Sequence, residues 1–408
     1  MTTTAMQGFS FLSKAYAENP YRFLAQLRSQ DPVHYEPDLH GYFITRHQDI
    51  RTALLDNERF ATDILQQRAE PVMRGPVLAQ MNGSEHTAKR KIIIRGFTGA
   101  RLEEQGERIK ANTIDIIKSF IPTGRIDLVR DFGKKFAVFT TLDVLGIDKN
   151  DWEQVASWHS DVAEFITSLT MNSERQAACI TSATELESFL RPIIEQRRRA
   201  PGPDLISALC SETIDGVRMS VRDVTALIIN VLAAATEPAD KTLALVFKHL
   251  IDHPNQLAKV RSEPSLTSAA IAETLRFTPP VQLIPRLVQK DVMLAGKAIP
   301  AGATVYCVIA GANRDPEVFI HPDDFDIERP DLGVARSFSG AAQHMAFGTG
   351  MHMCVGAAFA RVQLETVIRL ILPLMENLAF ESGFDYSETG LYTRGPSSLQ
   401  LTFDPAQI

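Results

Sequence analysis

Residues 347–356 read Phe-Gly-Thr-Gly-Met-His-Met-Cys-Val-Gly. Glycines at this density permit positive φ and let a bulky ligand approach the backbone closely. A helical pattern follows over 357–374, which puts Cys354 beside a helix N-terminus, where free amides and the helix dipole favour an anion. A thiolate stabilised there suits two chemistries. One is nucleophilic catalysis, which needs a nearby base; the other is axial ligation of a haem iron. The remaining cysteines, Cys179, Cys210 and Cys307, are far apart with no CxxC pair. They read as small core side chains, and no zinc-ligand spacing is present.

A second unusual stretch lies in the middle of the longest helical pattern. Ser220-Val-Arg-Asp223 fits a capping box, and the pattern runs over 220–253 until Pro254 stops it. At 1.5 Å per residue this helix is roughly 50 Å long, enough to cross a domain. Its middle, Leu232-Ala-Ala-Ala-Thr-Glu-Pro-Ala-Asp240, has small alanines that leave room for a large flat ligand. Pro238 removes one amide donor and crowds the carbonyl of Ala234. A packing kink, or two separate helices, would explain Pro238 equally well.

These residues need a scaffold, and the chain of 408 residues is long enough for a sizeable one. Its composition, 45% apolar and 22% charged, is ordinary for a globular protein. The net charge of −7 and a pI near 5.8 disfavour nucleic-acid binding as the main activity. No apolar run reaches the ~18–20 residues of a membrane span, and the N-terminus lacks a signal-peptide layout, so a soluble cytoplasmic protein is expected. Helical periodicity predicts helices over 20–29, 101–120, 132–145, 151–170 and 173–199. Strand signals fall at 34–35, 42–45, 284–288, 292–294, 304–309 and 399–403, gathered toward the two ends. With no break in composition, the expectation is one predominantly α domain.

Phe347, Gly350, Cys354 and Gly356 fit the pattern F-x-x-G-x-x-x-C-x-G, and on it the chain resembles the cytochrome P450 family over essentially its whole length. The resemblance implies a mainly α fold with small β-sheets: a triangular, helix-rich single domain, residues 1–408, whose long central helix lies over haem b. It makes Cys354 the axial ligand of the haem iron. Glu273-Thr-Leu-Arg276 and Arg329 of Phe325-Asp-Ile-Glu-Arg329 resemble the family's buried ion network, a structural rather than catalytic element. His86-Thr-Ala-Lys-Arg90 resembles H-x-x-x-R, and with Arg286 and His352 supplies the expected propionate partners, where charge-assisted hydrogen bonds suit these residue types. Phe347, Gly348 and Ala235 are expected to pack on the haem.

The chain also departs from the family. Where most members carry A-G-x-[DE]-T, it has Ala234, Ala235, Thr236, Glu237 and Pro238. The acid stays and the hydroxyl is gone, so protons are expected to move through Glu237, ordered water or the substrate, and peroxide use stays open. Thr236-Glu-Pro-Ala-Asp-Lys-Thr242, with residues 69–78 and 390–395, resembles a small bacterial branch. That branch oxidises a cyclic dipeptide, cyclo-leucyl-leucyl, toward a hydroxylated pyrazine N-oxide, pulcherriminic acid. A diketopiperazine would meet Asn230 and the Ala234 carbonyl freed by Pro238. Apolar contacts are expected from Met73, Val77, Leu78, Phe165, Ile166, Leu283, Ile284 and Tyr392. The resemblance further implies O2, a separate ferredoxin or flavodoxin with its reductase, and docking on the basic run Lys89, Arg90, Lys91, Arg95 and Arg101. Two rival readings remain: a P450 hydroxylase or peroxygenase of another compact apolar metabolite such as a terpenoid, and a haem-binding sensor without chemistry.

Overall fold

Ser220 caps the longest helix as its sequence predicts. In the computed structural model, which describes residues 9–406, Ser220 Oγ accepts from the Asp223 amide at 3.1 Å while the Asp223 carboxylate accepts from the Ser220 amide at 3.3 Å. The helix then runs Val221–Asp252 with Pro238 inside it. Pro254 opens the next helix, Pro254–Ser262, in the first turn, where a missing amide costs nothing. Other periodic stretches fold as expected: Pro20–Gln30, Ala100–Phe120 and Ser173–Arg199 are helices.

Some elements differ from expectation. The pattern over 132–145 becomes a helix only at Lys134, because Leu128–Gly133 winds as a π-helical turn. The helix expected over 151–170 is Trp152–Thr167, closed by the Ser168 amide donating to Glu164 O at 2.8 Å. Residues 64–73, for which the periodicity predicts no element, form the helix Ile64–Met73 despite Pro71. A strand in mid-chain, Arg125–Asp127, also escapes the periodicity because it is only three residues long.

The chain divides into two compact units, each assembled from separated stretches. The first takes residues up to 64 together with 245–354 and 385–397. Its sheet has the strand order Val33–Glu36, Gly41–Ile44, Thr304–Val308, Leu283–Val288, Phe60–Ala61. Only Thr304–Val308 against Gly41–Ile44 is parallel. Val33, Ile44, Ile50, Phe60, Val305 and Cys307 bury the apolar faces of this sheet and the helix His47–Leu55 in one core. The second unit takes 65–244, 355–384 and the C-terminal stretch from 398. There Ala100–Phe120 packs on Ala357–Ile371, and the strands Met375–Phe380, Gln400–Pro405 and Arg125–Asp127 form an antiparallel sheet.

Candidate active site

In the first unit, the cysteine loop takes its shape from its own backbone. Gly348 and Gly350 have φ of 66° and 74°, the left-handed region that side chains resist. The Cys354 amide donates to Phe347 O at 2.9 Å and the Met353 amide to Gly350 O at 3.1 Å. The strand of chain therefore folds back on itself, and Cys354 is exposed while the other three cysteines are buried. A Cβ on Gly350 would meet Leu54 O at 3.1 Å, so the loop sits tightly on the end of His47–Leu55. A Cβ on Gly348 would lie 3.7 Å from Ile284 Cδ1, which sets the loop against Leu283–Val288.

A buried ion network anchors the approach to this loop. Glu273 and Arg276, both fully buried, pair through two contacts of 2.7 Å. Arg329 Nε lies 3.3 Å from Glu273 Oε1. Arg276 also donates to Asn313 O at 3.1 Å, and Asn313 Oδ1 accepts from the Met345 amide at 2.7 Å. Two arginines on one carboxylate offset its desolvation, which a lone buried charge would not withstand.

On the strand Leu283–Val288, Arg286 is only 2% exposed. Its Nη1 donates to Pro285 O, but Nε finds no hydrogen-bond partner among the described residues. Burial lowers its pKa, with Cys307 and Tyr392 partly opposing. A buried guanidinium with an unmet donor calls for an anion. The Tyr392 carbonyl accepts from the amides of Gln282 at 2.9 Å and Leu283 at 3.4 Å. Leu283, Ile284, Arg286, Gly348 and Tyr392 are thus brought together. Phe347 packs its ring 5.6 Å from that of Phe338 and is half-buried, as is His352.

In the second unit, the helix Gly83–Arg95 carries His86 and Arg90 one turn apart. His86 is buried, and its pKa is lowered by burial first and then by the Arg90 charge. On Val221–Asp252, Ala234 is exposed while Leu232 and Thr236 beside it are buried. Asn230, Ala235, Glu237 and Pro238 are half-buried. Glu237 pairs with Lys241. Phe165 and Ile166, half-buried, stand at the end of Trp152–Thr167, where Arg68 donates to Ile166 O at 3.1 Å and Ser168 O at 3.2 Å. Met73, Val77 and Leu78 are buried.

The family model for cytochrome P450 matches residues 41–376. This chain belongs to the cytochrome P450 family. It is 50% identical over 398 residues, 98% of each chain, to pulcherriminic acid synthase of Bacillus subtilis (strain 168). It is 30% identical over 418 residues, 99% of each chain, to the vitamin D(3) 25-hydroxylase of Pseudonocardia autotrophica. Among solved structures, CalO2 superposes with a TM-score of 0.87 at 25% identity, covering 98% of this chain and 99% of that one.

As a P450, the protein is a haem-thiolate monooxygenase that binds haem b, uses O2 and a redox partner, and acts on a small molecule. The residues fit that cofactor. Within the first unit, the unmet Arg286 donor suits a haem carboxylate and Cys354 presents an exposed sulfur. No helix among the described residues is long and apolar enough to cross a membrane.

The basic run is less uniform than its sequence suggests. Lys89 is 4% exposed and pairs with Glu85 at 2.7 Å, Arg95 pairs with Glu212, and Arg101 with Glu104. Lys91 is exposed. Two residues near Glu237 escaped the sequence reading. His159 Nδ1 lies 3.2 Å from Thr236 Oγ1, and Asp240 is buried one turn after Glu237. The acid at 240 was visible in Thr236-Glu-Pro-Ala-Asp240, but a histidine 77 positions away leaves no local signal.

Proposed function

We propose that this P450 oxidises a cyclic dipeptide of apolar residues, cyclo-leucyl-leucyl, toward pulcherriminic acid in secondary metabolism. The observation that carries the reading is the 50% identity with pulcherriminic acid synthase across 98% of both chains. On this reading residues 1–408 act as one P450 domain in the cytoplasm, supplied with electrons by a separate ferredoxin or flavodoxin and its reductase.

Cys354 would be the axial ligand. His86, Arg90, Arg286 and His352 would hold the propionates, and Phe347, Gly348 and Ala235 would pack on the macrocycle. When bound, the haem supplies the oxidising chemistry, and the thiolate donates electron density that favours O–O cleavage. The chain's own residues then have three tasks. The Ala234 carbonyl, which no amide at 238 can satisfy, accepts from a ring N–H, and Asn230 meets a second amide group. Met73, Val77, Leu78, Phe165, Ile166, Leu283, Ile284 and Tyr392 would supply the apolar contacts to the leucyl side chains. Glu237 holds and releases a proton, replacing the hydroxyl that Pro238 lacks.

The test is a spectral titration of the holoenzyme against a panel of cyclic dipeptides, followed by mass spectrometry of turnover mixtures. Tightest binding of cyclo-leucyl-leucyl, and its conversion to pulcherriminic acid with reductase, ferredoxin and NADPH, is expected. Conversion with peroxide alone would replace the O2-dependent reading, and no spin shift with any cyclic dipeptide would overturn the substrate.

A further inference from the structure

Behind Glu237 lies a buried acid that the proposed binding and ligation leave unused. Asp240 is 9% exposed, and its Oδ1 has no hydrogen-bond partner among the described residues. The carboxylate occupies the space over Gly133: a methyl group built on that glycine would collide with Oδ1 and stand 3.1 Å from Cγ. Gly133 has φ of −57°, which any residue adopts, so glycine is needed here for room alone. It closes the π-helical turn Leu128–Gly133, whose start is capped by Asp127 Oδ1 accepting from the amides of Val129 at 3.1 Å and Arg130 at 3.2 Å. Wide turns of this kind recur at functional sites. Here the turn brings a glycine to the one place where a carboxylate must enter.

The charges around Asp240 come from three elements. Lys134 at the start of Lys134–Leu145 and Lys241 on its own helix lower its pKa; Glu237 on its own helix and Asp127 at the end of Arg125–Asp127 raise it. Burial outweighs them all and carries the carboxyl up to about 7. Asp240 follows Glu237 by three positions, so the two lie on one flank of the helix at a spacing that one water can bridge. His159, whose Nδ1 lies 3.2 Å from Thr236 Oγ1, is kept neutral by burial, with a pKa of about 4, and is no proton source at neutral pH.

We infer that Asp240 recharges Glu237: the Asp240 carboxyl passes one proton to the Glu237 carboxylate after Glu237 has released its own, and regains a proton from solvent on the side of Lys134 and Asp127. One proton moves, no electron is transferred, and water is the only co-reactant. Acting through Glu237, Asp240 is a positioning residue, and the inference rests on the proton role of Glu237 proposed above. A carboxyl that titrates near the working pH is both loaded and able to give.

The experiment uses the holoenzyme with cyclo-leucyl-leucyl and measures product formed per O2 consumed between pH 6 and 9. In Asp240→Asn this coupling is expected to fall about tenfold, with the lost O2 recovered as peroxide and the pH dependence near neutrality flattened. The substrate-induced spectral shift should stay as in the wild type. An independent reading comes from infrared spectroscopy of wild-type protein carrying 13C-labelled aspartate, which should show one carboxyl titrating near pH 7. That band should vanish in Asp240→Asn, persist in Glu237→Gln and move in Gly133→Ala. If no aspartate carboxyl titrates between pH 6 and 8, the inference is overturned whether or not the variants fold. If Glu237→Gln uncouples the enzyme but Asp240→Asn does not, this inference fails alone. If Glu237→Gln couples normally, the role of Glu237 fails and takes this inference with it.

Discussion

Residues 347–354 take their form from partners a few positions away, whereas residues 234–241 take their chemistry from groups on other elements. In the cysteine loop two glycines with positive φ and three backbone hydrogen bonds, from Cys354, Met353 and Gly348, define the turn. In the long helix the environment of Glu237 and Asp240 is set by His159, Gly133 and Lys134, none of them near in sequence. The first region is a motif and the second is a packing arrangement. A motif survives as spacing; a packing arrangement shows only after folding.

The hardest test of that contrast falls on the motif. Cys354→Ser should leave the fold standing, because the loop is held by backbone bonds and not by the sulfur. It should nevertheless abolish the strongly red-shifted Soret band of the reduced carbon monoxide complex, and turnover with it. A red-shifted band in the variant would remove Cys354 as the ligand.

Next in size comes the network behind the loop. Glu273→Gln would leave Arg276 and Arg329, 0% and 6% exposed, without their shared carboxylate. Breaking such a buried set costs about 3–5 kcal/mol. Urea unfolding should show that loss together with poor haem retention, since Arg276 also holds Asn313 and through it Met345. A variant as stable as the wild type would mean that the loop supports itself.

How much of this was legible in the sequence follows the same division. The capping box at Ser220, the helix Ser173–Arg199 and the strand Val292–Leu294 appear where periodicity puts them, because each is specified by its own residues. Glu273, Arg276 and Arg329 were readable because the family spacing preserves them. The helix Ile64–Met73 was not: Pro71 argues against it locally, and its place is fixed by bonds such as Arg74 to Glu187 at 2.7 Å. Asp240 lies in the segment 236–242 that carries the resemblance, but its burial depends on a glycine in another element.

The two regions should also answer pH in opposite directions. Burial holds His344, 2% exposed and close behind the loop, at a pKa of about 4. The unfolded chain takes up a proton below about 6.5 while the folded one does not until about 4, so stability falls as pH drops through that window, by about 1.4 kcal/mol per unit. Asp240 does the reverse. Its folded pKa is raised from 3.8 to about 7, so its contribution is lost as pH rises across that range. His344→Leu should therefore close its gap to the wild type, or pass it, on going from pH 7.5 to 5.5 in thermal melts. Asp240→Asn should gain on the wild type from pH 5 to 8. Parallel trends would show that the two sites are not buried as described.

A smaller effect is expected at Pro238. Pro238→Ala restores an amide facing the Ala234 carbonyl, so the substrate loses one net hydrogen bond of about 1 kcal/mol, a roughly fivefold weaker Kd in spectral titration. An unchanged Kd would leave Pro238 a purely structural feature of the helix.

The least effect, and the finest test of motif against packing, lies in the run of residues 89–101. Read as sequence it is one basic patch, but folding distributes its charges unequally. Lys89 is buried against Glu85, Arg95 shares its charge with Glu212 at 2.7 Å, and Lys91 faces solvent. An exposed pair such as Arg95–Glu212 contributes little stability, so both charges can be changed without unfolding the protein. If an acidic ferredoxin or flavodoxin docks here, Lys91→Glu should slow reduction about two- to threefold at low salt. Arg95→Glu should slow it at least as much, because the new carboxylate stands beside Glu212. Both effects should fade near 1 M salt, where the Debye length contracts to about 3 Å. Lys89→Gln should leave the association rate alone and alter only stability, since its charge is already matched by Glu85 within the packing. Equal slowing by all three would mean that the partner reads the run as sequence spells it, whereas no slowing by Lys91→Glu or Arg95→Glu would remove docking from this helix.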